Sequence, residues 1–409
     1  MKLLHSSDWH LGKKLGPYSR LEEQKEVLEE IIALKEREKP DLVIISGDLY
    51  DTWNPPHEAI ELLYRSLKRL SGDALTPVIA LAGNHDAPDH IEAPDPLARE
   101  CGIFFMGYPE SCPKDINFPG GLSVSFPDPG MICLDGLPSG DPVNIICTPY
   151  ASEVRLRRFL GTEEKDETMR SVLRVQWKNL AKKHYSHTSV NLLAAHLYMG
   201  SKGELLQEEE PEGEKSILHP GGLEMIYTED LPQGCQYAAL GHLHRGFPLA
   251  GSSVPAIYSG SPASYSMNEY KGGNSVVLAE IEAGEKASFR FEKLASPWPL
   301  YRESFSSVEE SLSWLRDHQK GYVELILKTR EYIKGSDKQK ILQAHPRILA
   351  VIPELPPLRS PREEKSSSFS SRPVKELFRE FYRHNRQDLE PSGELLELLD
   401  EIISGEETI

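Results

Sequence analysis

The chain is poor in thiols and has none in a bridging pattern. Its 409 residues include five cysteines, at 101, 112, 133, 147 and 235. The count is odd and no pair has Cys-x-x-Cys spacing, which argues against a disulfide framework and against a sulfur-rich zinc site. Reduced thiols and a cytoplasmic location are the expectation. No apolar run approaches the roughly 20 residues that span a bilayer, so no membrane association is expected. The opening Met-Lys-Leu-Leu-His-Ser-Ser-Asp turns polar almost at once and leaves no room for a signal peptide. No Gly-x-x-x-x-Gly-Lys-[Ser/Thr] loop occurs, so any ATPase must come from another chain. Basic residues are in deficit, 46 against 63 acidic ones, for a net charge of −17. That balance argues against a self-sufficient, tight nucleic-acid binder, whose footprint is usually basic. An acidic nuclease would lean on bound cations, on local basic loops or on a partner.

What is present is a series of short apolar runs separated by amphipathic segments. Strand-like runs include Leu3–Leu4, Leu42–Ile45, Val78–Ala82, Asn144–Cys147, Val190–Ala195, Tyr237–Leu240, Ala256–Tyr258, Ser275–Ile281 and the alternating Ala287–Leu294. Helical segments are expected over roughly 20–38, stopping before Pro40, and over roughly 57–70 and 163–184. Strands alternating with helices imply an α/β core with helix-covered sheet faces. Two stretches read as surface excursions. One is 109–142, rich in Pro and Gly. The other is 201–216, which carries six Glu and two Lys.

Metal-ligand residues recur where these strands end. Asp8-x-His10, Gly47-Asp48-x-x-Asp51, Gly83-Asn84-His85-Asp86, His196 and Gly241-His242-x-His244 each follow or close an apolar run. Alone, each is ordinary turn chemistry or a core histidine. Together they supply carboxylate, imidazole and carboxamide donors with no thiolate. That set suits two hard-to-borderline divalent cations, manganese first and magnesium second. The carboxyl ends of sheet strands form the ligand crevice of open α/β folds, so residues far apart in sequence can converge there. Paired cations are what phosphate-ester cleavage needs.

The order and spelling of these motifs resemble the calcineurin-like metallophosphoesterases over roughly residues 1–260. Ser-Asp-Trp-His-Leu-Gly (7–12), Ser-Arg-Leu-Glu-Glu-Gln (19–24), Gly-Asp-Leu-Tyr-Asp (47–51), Ala-Gly-Asn-His-Asp (82–86), Ala-Leu-Gly-His-Leu-His (239–244) and Tyr-Ser-Gly-Ser-Pro (258–262) narrow the likeness to the SbcD exonucleases. The resemblance implies a four-layer α/β sandwich. It implies that Asp8, His10, Asp48 and His244 hold one cation and that Asp48, Asn84, His196 and His242 hold the other. His85 becomes the proton donor or transition-state stabiliser at the leaving oxygen. Asp51 is expected to accept a hydrogen bond from His85 and fix its tautomer. Asp86 is read as structural. Lys13, Lys14, Arg20 and Arg245 are candidate phosphate contacts, with plain solvated surface as the alternative. Ser261 and Tyr265 are candidates to border the site.

The organisation read from the sequence is a phosphoesterase domain over 1–295, a small α/β capping domain over 296–355, a linker over 356–372 and a helical tail over 373–409. In the cap, a helix over 307–319 lies among strands near 300–305, 322–329 and 348–352. In the tail, Val374, Leu377, Phe378, Phe381 and Tyr382 form one apolar stripe. Ser392 is placed to cap a second helix. Two short amphipathic helices beyond a linker need a surface to dock on. The resemblance implies that this surface is the coiled-coil base of an SbcC-type ABC ATPase, with two copies of each subunit in a heterotetramer. It further implies exonuclease action on double-stranded DNA and endonuclease action on single strands and hairpins, in DNA end processing, repair, recombination and replication. The rival readings are a phosphoesterase of another substrate class, acting on phosphoproteins or cyclic nucleotides, and a catalytically silent scaffold.

Overall fold

A computed structural model of the chain describes residues 1–152, 155–156, 169–201, 225–267, 273–329, 333–354, 374–385, 390–393, 395–396 and 399. The chain divides into two compact units, Met1–Glu354 and Leu355–Ile409.

The first unit is built on two facing sheets. One runs in the order Ser288–Lys293, Ser275–Glu280, Lys2–Ser6, Leu42–Ile45, Val78–Leu81, Ile103–Met106. Its last four strands are parallel neighbours. The other has eight strands, whose centre is the parallel set Ala256–Tyr258, Tyr237–Gly241, Val190–His196 and Val143–Thr148. The central strands are continuous aliphatic runs because both faces are covered.

Their two-residue period sorts side chains between layers. Leu3, Leu42, Ile44, Ile79 and Leu81 face the other sheet and share one core with Ile145, Leu192, Ala194 and Ala239. Leu4, Val43, Ile45 and Ala80 turn the other way, onto helices Leu21–Glu38 and His57–Ser71. Behind the second sheet, Ile146, Leu193, Ala195 and Leu240 pack on Leu173, Trp177 and Leu180 of helix Met169–His184. The result is the expected helix–sheet–sheet–helix sandwich.

Helix Leu21–Glu38 stops at a left-handed Lys39, just before Pro40. The stretch 109–142 departs from its reading as a surface excursion. It supplies strands Ile116–Asn117, Ser123–Ser125 and Met131–Asp135 at one edge of the second sheet, and it buries Leu122, Val124, Phe126, Ile132 and Leu134 in the intersheet core. The rest of the second excursion, 202–216, lies outside the described residues, as do 163–168 and the linker 356–372.

Three parallel strands, Leu300–Phe305, Tyr322–Lys328 and Ile348–Glu354, form a third sheet. With helices Val308–Asp317 and Gly335–Ala344 they enclose Phe305, Leu315, Val323, Leu325, Ile341 and Ile348. The second of these helices was not expected, because Ile341 is its one buried residue and no apolar stripe marks it. This small α/β element is tied to helix Leu21–Glu38. The Trp298 backbone N–H donates to Glu23 (2.8 Å), its indole N–H to Glu26 (3.0 Å), and Lys320 pairs with Glu26 (2.8 Å).

The second unit contains helix Val374–Asn385. On it Leu377, Phe378 and Tyr382 are half-buried while Glu376, Arg379 and Arg383 are exposed. Further on, the Leu395 N–H donates to the Ser392 hydroxyl (3.4 Å), the capping contact expected there. No described helix is long and apolar enough to cross a membrane.

Candidate metal centre

Strands Lys2–Ser6, Leu42–Ile45 and Val78–Leu81 are parallel neighbours, so Asp8, Asp48 and Asn84 leave one sheet edge side by side. Val190–His196 and Tyr237–Gly241 are parallel neighbours in the other sheet and deliver His196 and His242. The two edges meet. The His196 Nδ1–H donates to the Ser46 carbonyl across the gap at 2.7 Å, which turns its Nε2 towards the lip.

The backbone here is strained. Asp8, His10, Asp48 and His242 have φ of 54°, 43°, 49° and 106°, a region that non-glycine residues rarely occupy. Loop-to-loop bonds hold them: Asp8 N–H to the Gly47 carbonyl (2.9 Å) and His10 N–H to the Asp48 carbonyl (3.0 Å). Close approach requires glycine at several points of this seam. A Cβ at Gly83 would lie 2.0 Å from the Asp48 carboxylate, and one at Gly47 would lie 2.2 Å from the His196 ring.

Seven side chains converge. Ligand atoms of Asp8, His10 and His244 lie within 4.8 Å of one another, as do those of Asp8, Asp48 and His196. Nε2 of His10 and Nε2 of His244 are 3.0 Å apart. Asp48 stands between the two groups, its Oδ2 3.6 Å from His10 and 3.4 Å from His196. The Asn84 carboxamide oxygen is 3.0 Å from both His196 Nε2 and His242 Nδ1.

The electrostatics fit cations. Burial lifts the Asp8 carboxyl to about 6. Burial pushes Asp48 up as well, but the imidazoles of His196 and His10 outweigh it and hold Asp48 well below the usual carboxylate range. His196 is lowered by burial and lifted more by Asp48 and Asp8, to about 9. Buried carboxylates facing ring nitrogens, with no thiol among them, form a nitrogen–oxygen donor set suited to two divalent cations.

Beside this set stands His85. Its Nδ1–H donates to the Asp51 main-chain carbonyl at 2.9 Å, and its ring meets His10 edge to face at 4.8 Å. Asp51 therefore orients His85, but not as expected. The carbonyl does it, because the carboxylate turns to Lys13 (2.9 Å) and stands 3.6 Å from His10 Nδ1. Burial raises Asp51, yet the neighbouring His10 imidazole and the Lys13 ammonium prevail and bring it down to about 2. Asp86 is structural. Its buried carboxylate accepts the N–H groups of Leu49 (2.9 Å), Tyr50 (2.9 Å) and Gly83 (2.8 Å), locking two motif loops together.

Arg20 is not a phosphate contact. It is fully buried, pairs through two nitrogens with Glu23, donates to the Ser264 carbonyl and stacks at 5.2 Å on both Tyr265 and Tyr322. Lys13 is committed to Asp51, whereas Lys14 and Arg245 are exposed. Tyr265 lines the site from below, its ring 5.2 Å from that of His10 and 5.7 Å from that of His244. Ser261 is buried and bonds to the Ala263 carbonyl (2.8 Å).

Sequence reasoning missed Arg155. Its buried guanidinium donates to the carbonyls of Gly83 (2.7 Å) and Asp86 (2.7 Å) and so carries the loop that bears Asn84 and His85. Its partners are carbonyls, which leave no residue signature to read.

Residues 1–246 match the family model described as calcineurin-like phosphoesterase. Over 414 aligned residues the chain is 30% identical to a Bacillus subtilis (strain 168) protein named as the SbcD subunit of nuclease SbcCD, covering 100% of this chain and 99% of that protein. Proteins of the same name from Rhodobacter capsulatus (28% identical, 74% of this chain and 71% of that protein) and Staphylococcus epidermidis (27%, 72% and 70%) also match.

Proposed function

Because this chain belongs to the calcineurin-like phosphoesterases, and among them to the SbcD nucleases, we propose that its lip hydrolyses DNA phosphodiester bonds with two manganese ions. The coarse activity is that of a metal-dependent nuclease. The finer reading is exonuclease action on double-stranded DNA and endonuclease action on single strands and hairpins. What carries it is the convergence of seven donors from two sheets beside one oriented histidine.

Asp8, His10, Asp48 and His244 hold one cation, and Asp48, Asn84, His196 and His242 hold the other. When bound, the two cations lower the pKa of water and neutralise charge on the phosphoryl group as it is displaced in line. The protein residues do the rest. His196, fixed by the Ser46 carbonyl, and Asp48, set between both groups, keep the donors apart at fixed spacing. A carbonyl can only accept, so His85 keeps a hydrogen on Nδ1 and presents Nε2 to the lip. In the imidazolium form, which carries a second hydrogen on Nε2, it gives that Nε2 proton to the leaving oxygen and is left as the neutral ring with its Nδ1–H still on the Asp51 carbonyl. His85→Ala should keep both manganese ions and lose about two to four orders of magnitude in single-turnover cleavage. Calorimetric metal titration beside quenched-flow cleavage checks this, and near-wild-type turnover would remove His85 from the mechanism.

The SbcCD name also implies an SbcC partner. We assign its docking to the tail, through the apolar side of helix Val374–Asn385 and the second amphipathic segment read from the sequence after Ser392. Two copies of each subunit then assemble in the cytoplasm for DNA end processing, repair, recombination and replication. The partner supplies DNA affinity that a chain of net charge −17 lacks.

A further inference from the structure

We propose that Trp53 is a stacking platform for an unpaired nucleobase beside the scissile phosphodiester. Trp53 is 63% exposed, whereas Trp9, Trp177 and Trp298 are buried and Trp314 is stacked on His318 at 4.0 Å. Leaving an indole in water forgoes a large apolar burial, so an indole held in a fixed pose there calls for a ligand. The pose is fixed twice. The indole N–H donates to the Asn84 carbonyl at 3.2 Å, and the Arg155 guanidinium lies 6.0 Å from the ring centroid. Arg155 is 7% exposed, so the cation sits on the protein side and the solvent side of the ring is open.

Position decides the ligand class. Trp53 lies two residues after Asp51 and bonds directly to Asn84, the residue before His85. A phosphodiester seated at the donor cluster therefore brings a neighbouring nucleotide to the ring. Within a duplex that base is stacked and paired. At a frayed end or in a single strand it is free, and aromatic rings take any base by its π-face. The platform thus favours unpaired over paired substrate without reading sequence. This inference rests on the DNA reading above and adds the group that seats the strand.

The test compares the full chain carrying wild-type Trp53, Trp53→Phe or Trp53→Ala on two strands of equal length, oligothymidylate and an all-abasic counterpart. Trp53→Ala should raise KM on oligothymidylate about five- to a hundredfold, the scale of one lost base stack. It should leave KM on the abasic strand and the manganese affinity near wild type. Trp53→Phe should restore most of the loss. Oligothymidylate should also quench tryptophan fluorescence in the metal-free wild-type protein, and this quenching should vanish in both variants. Equal losses on both strands, or a Phe variant as weak as Ala with weakened manganese binding, would reduce Trp53 to a prop for Asn84 and overturn the platform. Absence of quenching would overturn it as well. Base-dependent quenching without cleavage of either strand would instead sink the DNA-hydrolysis reading and leave the platform standing.

Discussion

Asp51 divides its work between main chain and side chain. Its carbonyl orients the His85 imidazole, while its carboxylate serves Lys13 and stands beside His10. Asp51→Asn keeps the carbonyl, so His85 stays oriented. The loss should fall on manganese affinity, by about 10–100-fold, as for other groups that steady a ligand histidine. The rate at saturating manganese should stay within about tenfold of wild type. Calorimetry paired with single-turnover cleavage separates this from His85→Ala, whose defect is in rate. Much of the site was legible at this scale, because carboxylate, imidazole and carboxamide residues announce themselves and Gly-Asp or Gly-Asn marks a strand exit. The carbonyl of Asp51 and the grip of Arg155 were not legible, since contacts to main-chain oxygen are written in no side chain.

Helix Leu21–Glu38 links the catalytic sandwich to the small third sheet, and the Arg20–Glu23 pair at its start is the joint. Both side chains are fully buried, and Arg20 touches Tyr322 of the third sheet and Tyr265 beneath the metal donors. Arg20→Met strands a buried carboxylate and should cost about 3–5 kcal/mol in urea unfolding. The double variant Arg20→Met/Glu23→Gln should recover part of that. The salt dependence of DNA binding should not change with Arg20, because this cation meets no phosphate. Elements with an unbroken apolar run were readable from the sequence, as strands Leu42–Ile45 and Val78–Leu81 show. The edge strands of 109–142 were hidden because Pro and Gly outnumber inward residues such as Leu122, Val124, Phe126, Ile132 and Leu134. Helix Gly335–Ala344 was hidden because a single buried isoleucine makes no stripe.

At the scale of the whole molecule, the metal donors and the tail proposed to recruit the partner belong to different compact units. Charging the tail stripe with Leu377→Glu and Phe378→Glu should abolish co-purification with an SbcC-type coiled coil. Manganese-dependent cleavage by the isolated chain should be unchanged, because neither residue belongs to the unit that carries the donors. Loss of cleavage in that variant would contradict the division of labour.

The donors come from opposite walls: Asp8, His10, Asp48 and Asn84 from one sheet, His196, His242 and His244 from the other. The catalytic centre is therefore a gauge of how the two walls are aligned. A slide of either wall by a fraction of a residue would separate the halves of both ion sites at once, while leaving every individual strand intact. The greasy layer between the walls is thus more than ballast for stability. It sets the bite of the enzyme, and a methylene gained or lost there is felt at the lip.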